Sequence, residues 1–574
     1  MLDPVERLNG IGIYVAYIKI KLFFIILLYG IASTNSAVLA QAPGSGTDSS
    51  KPPNIIVLLV DDMGWSDIGS YGGEIPTPHL DKLATNGLRF TQFYNTARCS
   101  PTRASLLTGQ YPHAAGMGYL GGKVEPNSRG FHGTLLPRAV TLADVLGKLG
   151  YLTAVTGKWH LGAMDRSPPW ERGFSHSLVH RAGGVYFRDQ KPRGKKPQRI
   201  FYLNSKPISF DSKELAEGNW YSTDLFTRWS IRFIDKARQD KKPFFLYLPY
   251  VAPHFPIMAP KEDVDRFRGQ YMQGWEYLRK QRFARQKAMG LIDRSWQLSA
   301  PLKDIEDWNT LTDKQKKRYD HMMAVYAASI ARVDKSVGAL VQYLKDTKQF
   351  DNTLILFLSD NGGNAESGPS GRSQGEPLGG PASNVFVGMN WAMLQNTPFK
   401  MFKHFTHEGG IATPLIAHWP SGIAKDQRGA IVDEPAHLID IMPTVLEVTG
   451  GSYPQRYRDT NILPMLGESV APVFQGEPHK RQTPIYFEHE GNRAVRHGRW
   501  KVVSRLGYPW ELYDMSKDRT ETKNLIKQHP DIANGLIQAY HVWAQRDFVD
   551  TWTDEEVRND WGGKRIKNPA TKLP

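Results

Sequence analysis

Asn54-Ile55-Ile56-Val57-Leu58-Leu59-Val60 runs without a polar interruption into Asp61-Asp62-Met63-Gly64. A strand that is apolar at every position, not at alternate ones, is covered on both faces, as in a parallel sheet between layers of helices. Three further segments repeat the design. Tyr151-Leu152-Thr153-Ala154-Val155 leads to Thr156-Gly157-Lys158-Trp159-His160, and Pro243-Phe244-Phe245-Leu246-Tyr247-Leu248 leads to Ala252-Pro253-His254. Thr353-Leu354-Ile355-Leu356-Phe357-Leu358 ends in Ser359-Asp360-Asn361-Gly362-Gly363. Open α/β sheets bind ligands beyond the carboxyl ends of their strands, so the four polar clusters are expected to share one crevice. Adjacent carboxylates repel unless a cation lies between them. Asp61, Asp62 and Asp360 with the amide oxygen of Asn361 form a hard donor set, suited to Ca²⁺ or Mg²⁺ and not to zinc. A solvated turn would explain one acidic pair. Two pairs and two histidines, each just past a strand end, are not explained by packing.

Cys99 is the only cysteine among 574 residues. It opens a helical pattern, Cys99-Ser100-Pro101-Thr102-Arg103-Ala104-Ser105-Leu106-Leu107-Thr108, which Gly109 is placed to end. Pro101 falls in the first turn, where amides have no intrahelical partner to lose. A nucleophile at a helix N-terminus feels the positive end of the dipole and is well placed to handle an anion. Most lone cysteines are small buried apolar residues, so the weight rests on the neighbours.

Lys19 and Lys21 precede Leu22-Phe23-Phe24-Ile25-Ile26-Leu27-Leu28, and small residues follow as far as Val38-Leu39-Ala40. This is the pattern of an export signal over residues 1–40, cleaved ahead of Gln41. The apolar run is shorter than the roughly 20 residues of a membrane span, and an uncleaved anchor is the alternative if Ile11–Ile18 is counted with it. Residues 41–53 are rich in Ser, Gly and Pro and read as a linker. The protein is therefore expected outside the cytoplasm, periplasmic or secreted. With one cysteine it has no internal disulfide to hold it there, so its stability must come from a large core. The formal net charge of +15 fits solubility or affinity for polyanions. The basic cluster Lys191–Arg199 carries no interleaved aromatics, so it reads as a solvated loop and not a nucleic-acid site.

The Gly-, Ser- and Pro-rich span Asn364–Asn390 reads as a mobile loop at the crevice rim. Ala436–Gly450 reads as a helix closing the main domain. Beyond it, Pro484–Glu488, Asn492–Arg496, Trp500–Ser504 and Glu511–Asp514 read as short strands joined closely enough to pair antiparallel. A helix from Asp531 to about Gln545 would cover one face. The expected fold is α/β: a large mixed, mostly parallel sheet between helices (54–455), with a smaller C-terminal domain of a four-stranded antiparallel sheet and a helix (456–574). His404, His407 and Glu408 lack the His-Glu-x-x-His spacing of a zinc helix and read as structural or supporting residues.

Cys99-Ser100-Pro101-Thr102-Arg103 resembles the signature of the type I, formylglycine-dependent sulfatases of the alkaline phosphatase-like superfamily. Val60–Trp65, Thr156–Gly162, Ala252-Pro253-His254, Ser359–Gly362 and Thr397–Lys403 with the trailing His407-Glu408-Gly409-Gly410 resemble its other motifs, in family order. The likeness runs from about Asn54 to the C-terminus and is greatest to bacterial arylsulfatases, which share the long helical insertion expected from Glu262 to Asp346. It implies a sulfuric ester hydrolase in which Cys99 is converted by a formylglycine-installing enzyme and its hydrate attacks sulfur. It further implies one Ca²⁺ held by Asp61, Asp62, Asp360, Asn361 and modified residue 99. On this resemblance Arg103 fixes the nucleophile, and Lys158 and Lys403 hold sulfate oxygens. His254 protonates the departing alcohol and His160 removes a proton so that sulfate can leave. The substrate class implied is an aryl sulfate or a sulfated carbohydrate, with no nucleic acid and no stable membrane partner. Two alternatives stand beside it. One is a phosphate or phosphonate monoester hydrolase of the same superfamily. The other is a non-catalytic polyanion-binding protein that keeps Cys99 unmodified.

Overall fold

The computed structural model describes residues 51–121, 128–191, 200–215 and 218–550. The expected export signal, most of the linker and most of the Lys191–Arg199 cluster lie outside them. Among the described residues, no helix is long and apolar enough to cross a membrane.

Among the described residues, the main sheet has eleven strands. In chain order they are β1 (Asn54–Val60), β2 (Leu88–Tyr94), β3 (Leu152–Lys158), β4 (His176–His180), β5 (Ile200–Leu203), β6 (Lys206–Ser209), β7 (Phe244–Pro249), β8 (Thr353–Ser359), β9 (Ala412–His418), β10 (Ile431–Val432) and β11 (Ala436–His437). Their order across the sheet is β10-β2-β9-β8-β1-β7-β3-β4-β5-β6, with β11 also paired to β2. The central strands β8, β1, β7, β3 and β4 are parallel. β9 is antiparallel to both β8 and β2, and β5 and β6 complete the far edge antiparallel.

All seven residues of β1 are buried, as its unbroken apolar run requires. Ile56, Leu58 and Val60 point into one apolar layer, shared with the Ser222–Gln239 and Asp313–Asp346 helices. Ile55, Val57 and Leu59 point into the other, shared with Leu106 and Leu107 of the Cys99 helix and with Leu142, Val145 and Leu146. The expected insertion comprises helices Lys261–Asp265, Trp275–Ala288 and Asp313–Asp346. The last starts at a capping box between Thr312 and Gln315, which satisfies amides that a helix start leaves open.

The C-terminal sheet is β12 (Ile485–His489), β13 (Asn492–His497), β14 (Trp500–Ser504) and β15 (Glu511–Asp514), all antiparallel neighbours. Val495, Val502 and Leu512 meet Leu536, Tyr540 and Trp543 of the Pro530–Arg546 helix in a separate apolar cluster. Two expected elements differ. Within Ala436–Gly450 the α-helix is only Ile441–Thr449, because residues 436–437 pair with β2 and Leu438–Asp440 form a tight 3₁₀ turn. The Asn364–Asn390 span is structured: Arg372–Gln374 and Asn384–Phe386 pair as a hairpin, and the Gly388–Gln395 helix follows.

Candidate active site

The helix predicted at Cys99 spans Cys99–Thr108, and Gly109 ends it in the left-handed region at φ 65°, its amide bonded to Ser105. A side chain at Gly109 would meet Cβ of Met442 at 2.7 Å, so the turn and the close packing both require glycine. Every residue of this helix is buried. Cys99 and Arg103, four positions apart, share a face. The Arg103 guanidinium donates to Oδ2 of Asp360 at 2.8 and 3.2 Å and to the Lys158 carbonyl at 2.7 Å.

The strand ends meet as the sequence requires. At the end of β1, Asp61 and Asp62 are buried, and Asp62 takes up a left-handed φ of 73°. Its amide donates to Oδ1 of Asp360 at 3.2 Å, and Nδ2 of Asn361 donates to Oδ1 of Asp62 at 2.7 Å. From β3, Nζ of Lys158 lies 2.6 Å from Oδ2 of Asp61. Nζ of Lys403 lies 2.8 Å from Oδ1 of Asp62. Nε2 of His254 is 3.8 Å from Oδ2 of Asp62, while its Nδ1 faces the Phe255 carbonyl. Ligating atoms of Asp61, Asp62, Cys99 and His254 all lie within 4.8 Å of one another. His160 is also at positive φ, and its buried Nδ1 has no hydrogen-bond partner.

Electrostatics separates these groups by role. Burial pushes the Cys99 thiol up to about 12, with Lys403 and Lys158 only partly opposing, so the thiol itself is not a thiolate nucleophile near neutral pH. Burial and the charge of Asp61 push Asp360 up to about 7 despite Arg103. Burial would raise Asp61 as well, but Lys158, His254 and Arg103 hold it well below the carboxylate range. Burial and Lys158 hold His254 down to about 4, and the same two causes hold His160 well below the ordinary imidazole value.

Two participants escaped the sequence reading. Nδ2 of Asn364 donates to Oδ2 of Asp62 at 2.7 Å, and Glu366 pairs with Arg98 and lies 3.7 Å from Lys403. Their signal was position: both follow Gly362-Gly363 within the turn after β8. His407 contacts Glu511 of β15 at 3.3 Å, and Glu488 of β12 bonds His113 at 2.7 Å. A cleft of about 900 Å³, lined by Lys287, Arg294, Lys480 and Arg499 among others, contains none of the strand-end cluster.

A family model described as Sulfatase matches residues 53–452, and one described as N-sulphoglucosamine sulphohydrolase, C-terminal, matches residues 399–540. The chain belongs to the sulfatase family. It is 34% identical to an uncharacterized sulfatase of Schizosaccharomyces pombe, over 89% of this chain and 97% of the relative. It is also 34% identical to the arylsulfatase of Klebsiella aerogenes, over 79% of this chain and 98% of that one. Arylsulfatase A of Homo sapiens is 28% identical over 94% and 95%. Among solved structures, that of Ps i-CgsB superposes with a TM-score of 0.65 at 28% identity, covering 88% of this chain and 95% of the other. This sulfatase is a sulfuric ester hydrolase.

Proposed function

We propose that this sulfatase is an arylsulfatase-type enzyme, cleaving a sulfate monoester to a phenol or alcohol and sulfate with a formylglycine at position 99 and one calcium ion. The carrying observation is a pair of buried oxygens without partners, Oδ1 of Asp61 and Oδ1 of Asn361, beside the convergent Asp61, Asp62 and Cys99. A buried carboxylate oxygen left bare costs free energy unless a cation meets it. The donors are oxygens, so the set fits calcium better than zinc. Asp61, Asp62, Asp360 and Asn361 would hold the ion, which supplies positive charge against the sulfate and lowers the pKa of an oxygen nucleophile.

Converted to formylglycine, residue 99 offers a hydroxyl of its hydrate where the buried thiol is inert. Arg103, anchored on Asp360 and the Lys158 carbonyl, orients it from one turn along the same helix. Lys158 and Lys403 bring two further cations to where sulfate oxygens gather charge. His254 has Nδ1 committed to the Phe255 carbonyl, so Nε2 is the atom that carries a proton to the departing oxygen. An anion bound beside it raises its affinity for that proton. His160, with Nδ1 bare, takes the proton whose loss lets sulfate go.

The arylsulfatase of Klebsiella aerogenes supports the aryl substrate. A sulfated carbohydrate is the natural counterpart, supported by the N-acetylgalactosamine-6-sulfatase of Homo sapiens at 27% identity. The protein acts after export, and its maturation requires a formylglycine-installing enzyme. The test combines mass spectrometry of residue 99, metal content of wild type and Asp61→Ala, and rates on matched sulfate and phosphate esters. Expected are an aldehyde at position 99, calcium lost with Asp61, and faster sulfate cleavage. An active preparation whose Cys99 is entirely thiol, or zinc as the metal lost with Asp61, overturns the reading.

A further inference from the structure

Among the described residues, three or more metal-ligating side chains converge in two places. One is the catalytic cluster. The other is His404, His489 and Glu490, whose ligating atoms also lie within 4.8 Å of one another and are buried. We propose that these three residues form a second metal site, of the nitrogen- and carboxylate-liganded class that takes zinc, tying the loop behind Lys403 to the β12–β13 turn.

The geometry is that of a coordination shell more than of an ion pair. Nδ1 of His404 is 3.3 Å from one carboxylate oxygen of Glu490, and Nε2 of His489 is 3.7 Å from the other. Ligands about 2.0–2.1 Å from a tetrahedral ion stand about 3.3 Å apart, which is the first of these separations. At that distance a hydrogen bond would normally form, yet Nδ1 of His404 is not aligned for one. His489 supplies an independent observation. Its side chain is completely buried, and neither ring nitrogen has a hydrogen-bond partner. A buried polar ring so placed is costly unless something meets its lone pair. An ion between His489, His404 and Glu490 does that without needing solvent access.

Donor chemistry selects the class. Two imidazoles and one carboxylate suit zinc and its neighbours, whereas the oxygen-only donors at Asp61 and Asp62 suit calcium. Among the described residues, three neighbouring cations have carboxylate partners of their own. Lys403 lies 2.8 Å from Asp62, Arg98 pairs with Glu366, and His113 lies 2.7 Å from Glu488. The ligands come from loops 85 residues apart in the chain, so binding them together resists separation of the two sheets. Lys403 and His404 are consecutive, and the His404 amide donates to the Ala97 carbonyl, two residues before Cys99. The ion would therefore brace the backbone that positions Lys403.

The decisive measurement is the metal content of the full-length chain, purified without chelator and dialysed against zinc at a concentration near its own. Wild type should hold one zinc per chain beside calcium. His489→Ala and Glu490→Gln should each bring zinc below a tenth of that while calcium stays. Asp62→Ala should do the reverse. If both variants fail to fold, cobalt-loaded wild type decides: the visible absorption of tetrahedral cobalt supports the site, and its absence overturns it. Wild type without zinc under these conditions, or zinc undiminished in a folded Glu490→Gln, also overturns it.

Discussion

Two clusters of buried charge in the molecule are finished differently. In the seam between the main and C-terminal sheets, each carboxylate oxygen of Glu408 is met. Oε1 accepts from Lys501 at 2.8 Å, and Oε2 accepts from Arg519 at 2.7 Å and from the Tyr94 hydroxyl at 3.1 Å. Lys501 also reaches Glu521 at 2.8 Å, and the other oxygen of Glu521 accepts from the Glu408 amide at 3.0 Å. At the strand ends, Oδ1 of Asp61, Oδ1 of Asn361 and Nδ1 of His160 are buried and bare. The same contrast shows in proton affinity. Burial would raise Glu408, but Lys501, Arg519 and Arg496 hold it down to about 2. Burial, together with the charge of Asp61, carries Asp360 up to about 7. A saturated cluster holds the fold together; an unsaturated one is held by the fold for something else.

The contrast breaks if the two clusters respond alike to mutation. The largest effect belongs to Cys99→Ala, which should take sulfate ester turnover to background while circular dichroism and cooperative unfolding persist. Loss of folding would make the Cys99 helix part of the structural class instead. Glu408→Ala should do the opposite, costing about 3–5 kcal/mol in urea unfolding because Lys501 and Arg519 remain buried without their shared anion. A cost below about 1 kcal/mol would dissolve the distinction. The pH dependence has a definite sign. A carboxylate lowered from 4.5 to about 2 contributes its full stability above pH 4.5 and loses it as pH falls toward 2. The gap between wild type and Glu408→Ala should therefore be constant above pH 4.5 and narrow below it.

Within the catalytic cluster, His254→Ala should reduce cleavage of an alkyl or sugar sulfate by about 10²–10⁴-fold, and that of a nitrophenyl sulfate much less. Nitrophenolate leaves without a proton; an alkoxide does not. His160→Ala should lower both substrates by a common factor, since the proposed mechanism uses it only after the alcohol has gone. A common factor for His254→Ala as well would leave it only a binding role. The smallest effect is expected beneath the site. The Tyr326 hydroxyl donates to Asp67 at 2.6 Å, and Asp67 also accepts from the Gly64 amide at 2.8 Å. Tyr326→Phe leaves that second bond in place and should cost about 1 kcal/mol.

What could be read in advance follows from the range of the interactions. The Cys99 helix and its glycine stop match the expected residues, because capping and helix length are decided locally. The four C-terminal strands fall within a residue of expectation for the same reason. The convergence of Asp61, Lys158, His254 and Asp360 was legible because a parallel sheet puts all its carboxyl ends on one side. The seam was not. Glu408, Lys501 and Arg519 lie 93 and 111 residues apart along the chain, and no local pattern announces such pairs. Neither β2 nor β9 carries an unbroken apolar run like that of β1, so nothing local placed β9 beside β8 or β2 beside β9. The Asn364–Asn390 composition suggested mobility, yet it supplies turns to a hairpin.

On the proposed conversion of residue 99, the burial of the Cys99 helix sets a clock on maturation. With all ten residues enclosed and the cysteine itself 2% exposed, the native chain offers no catalyst a grip on the thiol. Any conversion of Cys99 competes with folding, and the winner is decided once per molecule. A preparation would then be a frozen mixture, its active fraction the ratio of one rate to the sum of two. Slowing collapse, by lower temperature or delayed release from a chaperone, would raise specific activity without changing the rate constant of any single active enzyme.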